Sequence, residues 1–150
     1  MNNIQQNIKL VNEIFKKYNI EYMFIGRGAA IIQGFPDTTQ DIDVYVINKN
    51  NERIVQALKE LHFNITEKKE QEILSGKGFI QFLQPFEFDI LFYPDGFNSY
   101  EDAKKHKIYV QNLPVMNIDG IIKSKKSAGR LKDKETLPRL ISFKQYLDTK

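Results

Sequence analysis

Ile4, Ile8, Val11, Phe15 and Tyr18 follow one another at intervals of four, three, four and three, and Ile14 widens the stripe they form. That period predicts an amphipathic helix whose apolar side covers a sheet. The pattern then changes. Tyr22-Met23-Phe24-Ile25 is a continuous apolar run stopped by Gly26, as expected of a buried central strand. Gly28 to Gln33 reads as two helical turns whose small residues let them lie close to that strand, and Gly34-Phe35-Pro36-Asp37 ends them, because proline disfavours helix at the residue before it. From Asp41 to Ile47 the chain alternates, with Asp41, Asp43, Tyr45 and Ile47 on one face and Ile42, Val44 and Val46 on the other, so a strand is predicted.

Asn50 or Asn51 is placed to cap a helix that turns Ile54, Val55, Leu58 and Leu61 inward. The polar, glycine-punctuated stretch from His62 to Lys77 supports only a short strand at Phe63 to Thr66. Phe79 to Leu83 and Phe86 to Tyr93, separated by Gln84-Pro85, predict an antiparallel hairpin. In its second strand Phe86, Phe88, Ile90 and Phe92 share one face, leaving Glu87, Asp89, Leu91 and Tyr93 on the other. Pro94-Asp95-Gly96 signals a turn, and Ser99 caps a short helix through Lys105. Ile108 to Val110 and Pro114 to Met116 read as short extended pieces. A helix is expected from Asp119 to Ala128, with a break at Gly129 and a restart after Asp133 that carries Leu137, Leu140, Ile141 and Tyr146 on its apolar side.

Composition narrows the chemistry. A chain of 150 residues with 41% hydrophobic and 27% charged content suits one soluble domain, read here as residues 1–150. No stretch approaches the roughly 18 consecutive apolar residues of a membrane helix. Met1 to Asn7 has neither the basic start nor the apolar run of a secretory signal, so a cytoplasmic protein with no membrane partner is expected. The absence of cysteine leaves carboxylates and the two histidines as metal ligands, and oxygen donors favour a hard ion such as magnesium or manganese. His62 and His106 have no partner at ligand spacing and are assigned to surface or packing roles. The net charge of +3 is unevenly spread: Ile121 to Arg139 holds seven basic and two acidic residues, a local +5 able to attract phosphates.

Two carboxylates at alternate strand positions point the same way, and their repulsion is unfavourable unless a cation lies between them. Asp41 and Asp43 are such a pair. Asp89, on the polar face of its strand and followed by an apolar run, is the candidate third member. With three carboxylates, divalent ions could hold a triphosphate and activate an attacking hydroxyl. The Gly26-Arg27-Gly28 turn would offer backbone N–H groups to the phosphates.

The order Gly26-Arg27-Gly28-Ala29, then Thr39-Gln40-Asp41-Ile42-Asp43, then Asp89, resembles the DNA polymerase β-like nucleotidyltransferase superfamily. The run from Asp119 to Asp133, containing Lys125, Arg130 and Lys132, resembles the lysine-to-arginine-aspartate motif of small bacterial nucleotidyltransferases, among them the AbiEii and MenT type toxins of toxin-antitoxin systems. The resemblance implies an α/β (α+β) fold with a short mixed sheet covered by helices. It also implies transfer of a nucleoside monophosphate from an NTP, such as ATP, to an acceptor hydroxyl on RNA or tRNA, a protein or a small molecule. By the same resemblance, Asp41, Asp43 and Asp89 would be the catalytic metal ligands for Mg2+ or Mn2+, with Asp89 alternatively the base. Gly26, Arg27, Gly28, Thr39 and Lys125 would serve the nucleotide. Arg130, Lys132 and Asp133 would contact or support it, and an antitoxin would be a partner.

Two positions depart from the family pattern: Arg27 stands where glycine or serine is usual, and Asp37 where the related toxins carry arginine. They motivate a rival reading, a catalytically inert module of the same fold that binds nucleotide, RNA or protein. A third reading is an RNA-binding protein that uses the +5 segment, with steep salt dependence and no need of Asp41 or Asp43.

Overall fold

The computed structural model describes residues 3–93 and 95–150, so Met1 and Asn2, and Pro94 of the expected turn, lie outside the described residues. The first helix, α1 (Ile4–Lys17), begins where the Asn3 side chain accepts from the Gln5 and Gln6 N–H groups, and it buries Ile8, Val11 and Phe15. β1 (Tyr22–Ile25) is buried at every position. It runs directly into α2 (Gly26–Ile32), which starts two residues earlier than the sequence suggests and ends at the expected place. β2 (Ile42–Val46), α3 (Glu52–Glu60), α4 (Glu67–Ser75), β3 (Phe79–Phe82), β4 (Phe88–Leu91), α5 (Tyr100–Lys104), β5 (Lys107–Val110), β6 (Leu113–Met116), α6 (Ile118–Ala128) and α7 (Leu131–Asp148) follow.

The six strands form one mixed sheet in the order β3-β4-β2-β1-β6-β5. Sequence neighbours β1 and β2, β3 and β4, and β5 and β6 pair antiparallel, whereas β2–β4 and β1–β6 are parallel. The predicted hairpin is therefore present as β3 and β4, and β4 is inserted beside β2 by a crossover through α3 and α4. One face of the sheet is sealed by apolar side chains, with Phe15, Phe63, Phe86 and Phe88 meeting ring to ring. Phe86, Phe88, Ile90 and Phe92 are all buried there, as the alternation requires. The whole is a mixed α+β single domain, as expected.

Several local expectations are corrected. Phe63 to Thr66 is not a strand: Phe63 enters the aromatic cluster, and Thr66 caps α4 by accepting from the Lys69 N–H at 3.2 Å. The α4 helix escaped notice because Ile73 is its one buried apolar residue. It is secured from outside, where Asn51 donates to the Ile73 carbonyl at 3.1 Å and to Asn48 at 2.6 Å. Asn51 thus stands at the N-cap of α3 without a capping bond of its own. α7 starts at Leu131 rather than after Asp133, because the Asp133 carboxylate folds back to accept from the Arg130 N–H at 3.3 Å. Leu140 of that helix is buried, but Ile141 and Tyr146 are exposed rather than on an apolar seam. His106 packs beside Phe97, its Nδ1 sharing a hydrogen with Asn117 Oδ1 at 3.1 Å. Among the described residues no helix is long and apolar enough to cross a membrane.

Candidate active site

The second face of the sheet is covered over β1 and β6 and opens toward its β3 edge: Tyr45 of β2 is buried, Asp43, Asp89 and Leu91 are half-buried, and Phe79 and Gln81 of β3 are exposed. The open part is the floor of a cleft of about 430 Å³. Strand register sets its centre. Asp43 pairs with Asp89 across the parallel β2–β4 contact, and with Ile25 across β1–β2, so the two carboxylates stand side by side next to the end of β1. Asp41 precedes β2 and is fixed from its own backbone, its N–H donating to Thr39 Oγ1 at 3.1 Å.

Gly26 turns the chain at this point with a φ of +67°, a conformation that costs a side-chain-bearing residue. A Cβ at Gly26 would also lie 2.8 Å from Asp43 Oδ2. The glycine thus serves two ends, redirecting β1 into α2 and making room for a carboxylate against its own backbone. Gly28 is buried under the Asp41 carbonyl, so it supports the loop and does not line the cleft.

The carboxylates repel. Burial, together with the charges of Asp89 and Asp41 and a hydrogen bond to Asp89, pushes the Asp43 carboxyl up to about 7, against a smaller pull from Lys132. Asp89 is raised too, by burial and by Asp41, while hydrogen bonds from Asp43 and Gln81 and the Lys132 charge act the other way. Among the described residues no ion pair reaches Asp41, Asp43 or Asp89, and no three acidic or histidine side chains are drawn into a closed metal cage. An all-oxygen set with unneutralised charge nevertheless fits a hard divalent cation, which would relieve the repulsion.

The opposite wall is cationic, and much of it is tethered. Lys125 Nζ lies 3.3 Å from Asp133 Oδ1, and Arg130 Nε lies 2.7 Å from Asp133 Oδ2. Asp133 is 1% exposed. Burial works to raise its carboxyl, but the hydrogen bond from Arg130 and the charge of Lys125 outweigh that and hold it low. Burial lowers the Lys125 ammonium, against the opposing pull of Asp133. Arg27 Nε is 3.2 Å from Asp37 Oδ2, and Arg27 Nη2 donates to Thr136 Oγ1 at 3.3 Å. Arg139 reaches the same Asp37 oxygen at 3.4 Å. The two departures from the family pattern are therefore partners: the acid at 37 holds the arginine at 27.

Gly26, Arg27, Thr39, Asp41, Asp43, Asp89, Lys125, Arg130 and Lys132 all line this one cleft. Sequence reasoning missed Tyr45, whose buried hydroxyl accepts from the Asp95 N–H at 2.8 Å and lies 3.4 Å from Ser124 Oγ. The strand alternation put Tyr45 on the carboxylate face, which was the available signal. It also missed Phe79 and Tyr93, which are exposed and line the cleft; the alternation that placed Tyr93 on the Asp89 face was the available signal.

No family model matches this chain, and no curated protein matches it. Among solved structures, the crystal structure of a "putative nucleotidyltransferase" from Thermotoga maritima superimposes with a TM-score of 0.60 at 17% identity, covering 98% of this chain and 94% of that one. At that identity the likeness is one of fold, and the fold of this chain is nucleotidyltransferase-like.

Proposed function

We propose that the protein is a metal-dependent nucleotidyltransferase that moves a nucleoside monophosphate from an NTP to an acceptor hydroxyl. The observation that carries this reading is the juxtaposition of Asp43 and Asp89 across β2–β4, with Gly26 on one side and a tethered cationic wall opposite. In this reading Arg27, Lys125, Arg130 and Lys132 take the triphosphate, with Gly26 and Thr39 shaping its edge. Asp41, Asp43 and Asp89 would hold Mg2+ or Mn2+, which when bound supplies charge neutralisation at the reacting phosphate.

The acceptor oxygen attacks the α-phosphorus, the bond from that phosphorus to the β-phosphate oxygen breaks, and pyrophosphate leaves toward the cationic wall. The acceptor's proton passes to a carboxylate, and Asp89, beside Asp43 on the cleft floor, is the candidate for that base as the alternative to its role as a metal ligand. The motif run from Asp119 to Asp133 extends the reading to a cytoplasmic toxin paired with an antitoxin, with RNA, tRNA or protein as acceptor.

Asp41→Asn with Asp43→Asn is expected to abolish transfer of labelled nucleotide and magnesium-dependent NTP binding, with an unchanged circular dichroism spectrum. Retained transfer would sink the assignment. One observation favours the inert module instead: Arg27, which stands in the phosphate turn, is already engaged by Asp37 and Thr136. Calorimetric titration with the four NTPs and magnesium separates the two, since tight binding with no turnover across candidate acceptors supports the module.

A further inference from the structure

The register of the open half of the sheet places two rows of side chains one behind the other. The first is Asp43, Asp89 and Gln81 on β2, β4 and β3, and the second is Tyr45, Leu91 and Phe79 on the same strands. Two residues of strand separate the rows, about 6.7 Å, and neighbouring strands lie about 4.8 Å apart. Tyr93 stands one step further along the same face, diagonal to Phe79, because the Phe92 N–H still bonds the Gly78 carbonyl at 3.2 Å and carries the pairing past the end of β4. Phe92 is buried beneath, and Tyr93 faces out.

This second row is unlike the rest of the molecule's apolar surface. Phe79 and Tyr93 are each 61% exposed and both line the cleft, where exposed rings forfeit burial. Gly78, next to Phe79 and opposite Phe92, also lines the cleft. The Tyr45 hydroxyl is already engaged by the Asp95 N–H, and the row carries no amide or guanidinium group that could read the edge of a base.

We propose that this row is the nucleobase subsite: Phe79 and Tyr93 stack the base of the incoming triphosphate, and recognition there is by ring area and not by edge hydrogen bonds. The inference rests on the transferase reading, because it is the carboxylates that put the α-phosphate over the first row. In-line displacement sends pyrophosphate toward Arg27 and Lys125 and requires the acceptor from the opposite side. The nucleoside leaves the phosphorus in a third direction, along the strands, and a ribose spans the gap between the two rows. The sheet then presents rings where the base arrives. Every base has a π-face, so such a platform accepts all four and favours the larger purines.

Binding of ATP, CTP and inorganic triphosphate to the full chain with Mg2+, measured by calorimetry, tests this without any acceptor. The wild-type protein is expected to bind ATP about tenfold or more tightly than inorganic triphosphate, and Phe79→Leu or Tyr93→Leu to weaken ATP by about 5- to 30-fold with inorganic triphosphate unchanged. Phe79→Tyr and Tyr93→Phe, which keep the ring, should bind ATP as the wild type does. The subsite is overturned if the leucine variants bind ATP normally, if ATP and inorganic triphosphate lose affinity equally, or if one base is preferred by about 100-fold or more, a ratio that demands edge recognition. Wild-type protein that binds neither ligand overturns the transferase reading and this subsite together. Both side chains are exposed, so matched thermal unfolding of the variants keeps the comparison clean.

Discussion

The two sides of the cleft handle charge in opposite ways. On the helical side Lys125 and Arg130 share buried Asp133, and Arg27 is held by Asp37 and Thr136, so the cations are aimed before any ligand arrives. On the strand side Asp41, Asp43 and Asp89 face one another with no ion pair among the described residues. Preorganised donors lose little on binding an anion, whereas crowded carboxylates gain most from binding a cation. One wall carries its counter-charges within the fold; the other does not.

The strongest way to break that contrast is to remove the buried anchor. Asp133→Ala leaves Lys125 and Arg130 without their shared partner and should cost about 3 kcal/mol in urea unfolding, the usual scale for stripping one member from a buried pair. A loss under about 1 kcal/mol would show that the wall stands without its tether.

The strand side should respond with the opposite sign. The Asp43 carboxyl is raised to about 7 in the folded protein against an ordinary carboxylate value when unfolded, so the native state binds the extra proton between these values. The stabilisation is complete below the unfolded value and is lost as pH rises through about 7. Metal-free protein should therefore melt at lower temperature at pH 8 than at pH 5, and Asp43→Asn should flatten that slope and gain about 1–2 kcal/mol at pH 8. Magnesium at pH 8 should raise the melting temperature of the wild type and leave Asp43→Asn unmoved. A wild-type midpoint that climbs from pH 5 to pH 8 would contradict the crowding.

The smallest effect belongs to the partly exposed Arg27–Asp37 pair. A double-mutant cycle with Arg27→Ala and Asp37→Ala should give a coupling of about 0.5–1 kcal/mol, and zero coupling would mean that Arg27 is aimed by Thr136 alone.

Much of this was legible in the chain itself. The period of α1, the apolar run of β1 and the alternation of β2 and β4 each pointed to the right element, and alternation alone put Asp43 and Asp89 on open faces. What could not be read is whatever depends on partners far along the chain. Helix α4 buries little besides Ile73 and is fastened by Asn51, so no local periodicity announces it. The start of α7 depends on a side chain folding back, and the pairing of Arg27 with Asp37 depends on a loop returning to α2. The exposure of Phe79 could not be read locally, because aromatic residues in strands are usually core, and only the order of strands reveals that β3 lies at an edge with one face uncovered.

The parallel contact between β2 and β4 has a consequence for how the molecule assembles. Asp43 and Asp89 are neighbours in space but 46 positions apart in sequence, and the chain between them must first build α3, α4 and β3. Such a long-range pairing closes late, because its loop entropy is repaid only by contacts made at the end. A partly folded chain can hold its first hairpin and still lack the side-by-side carboxylates, so the acidic floor of the cleft exists only when the sheet is whole.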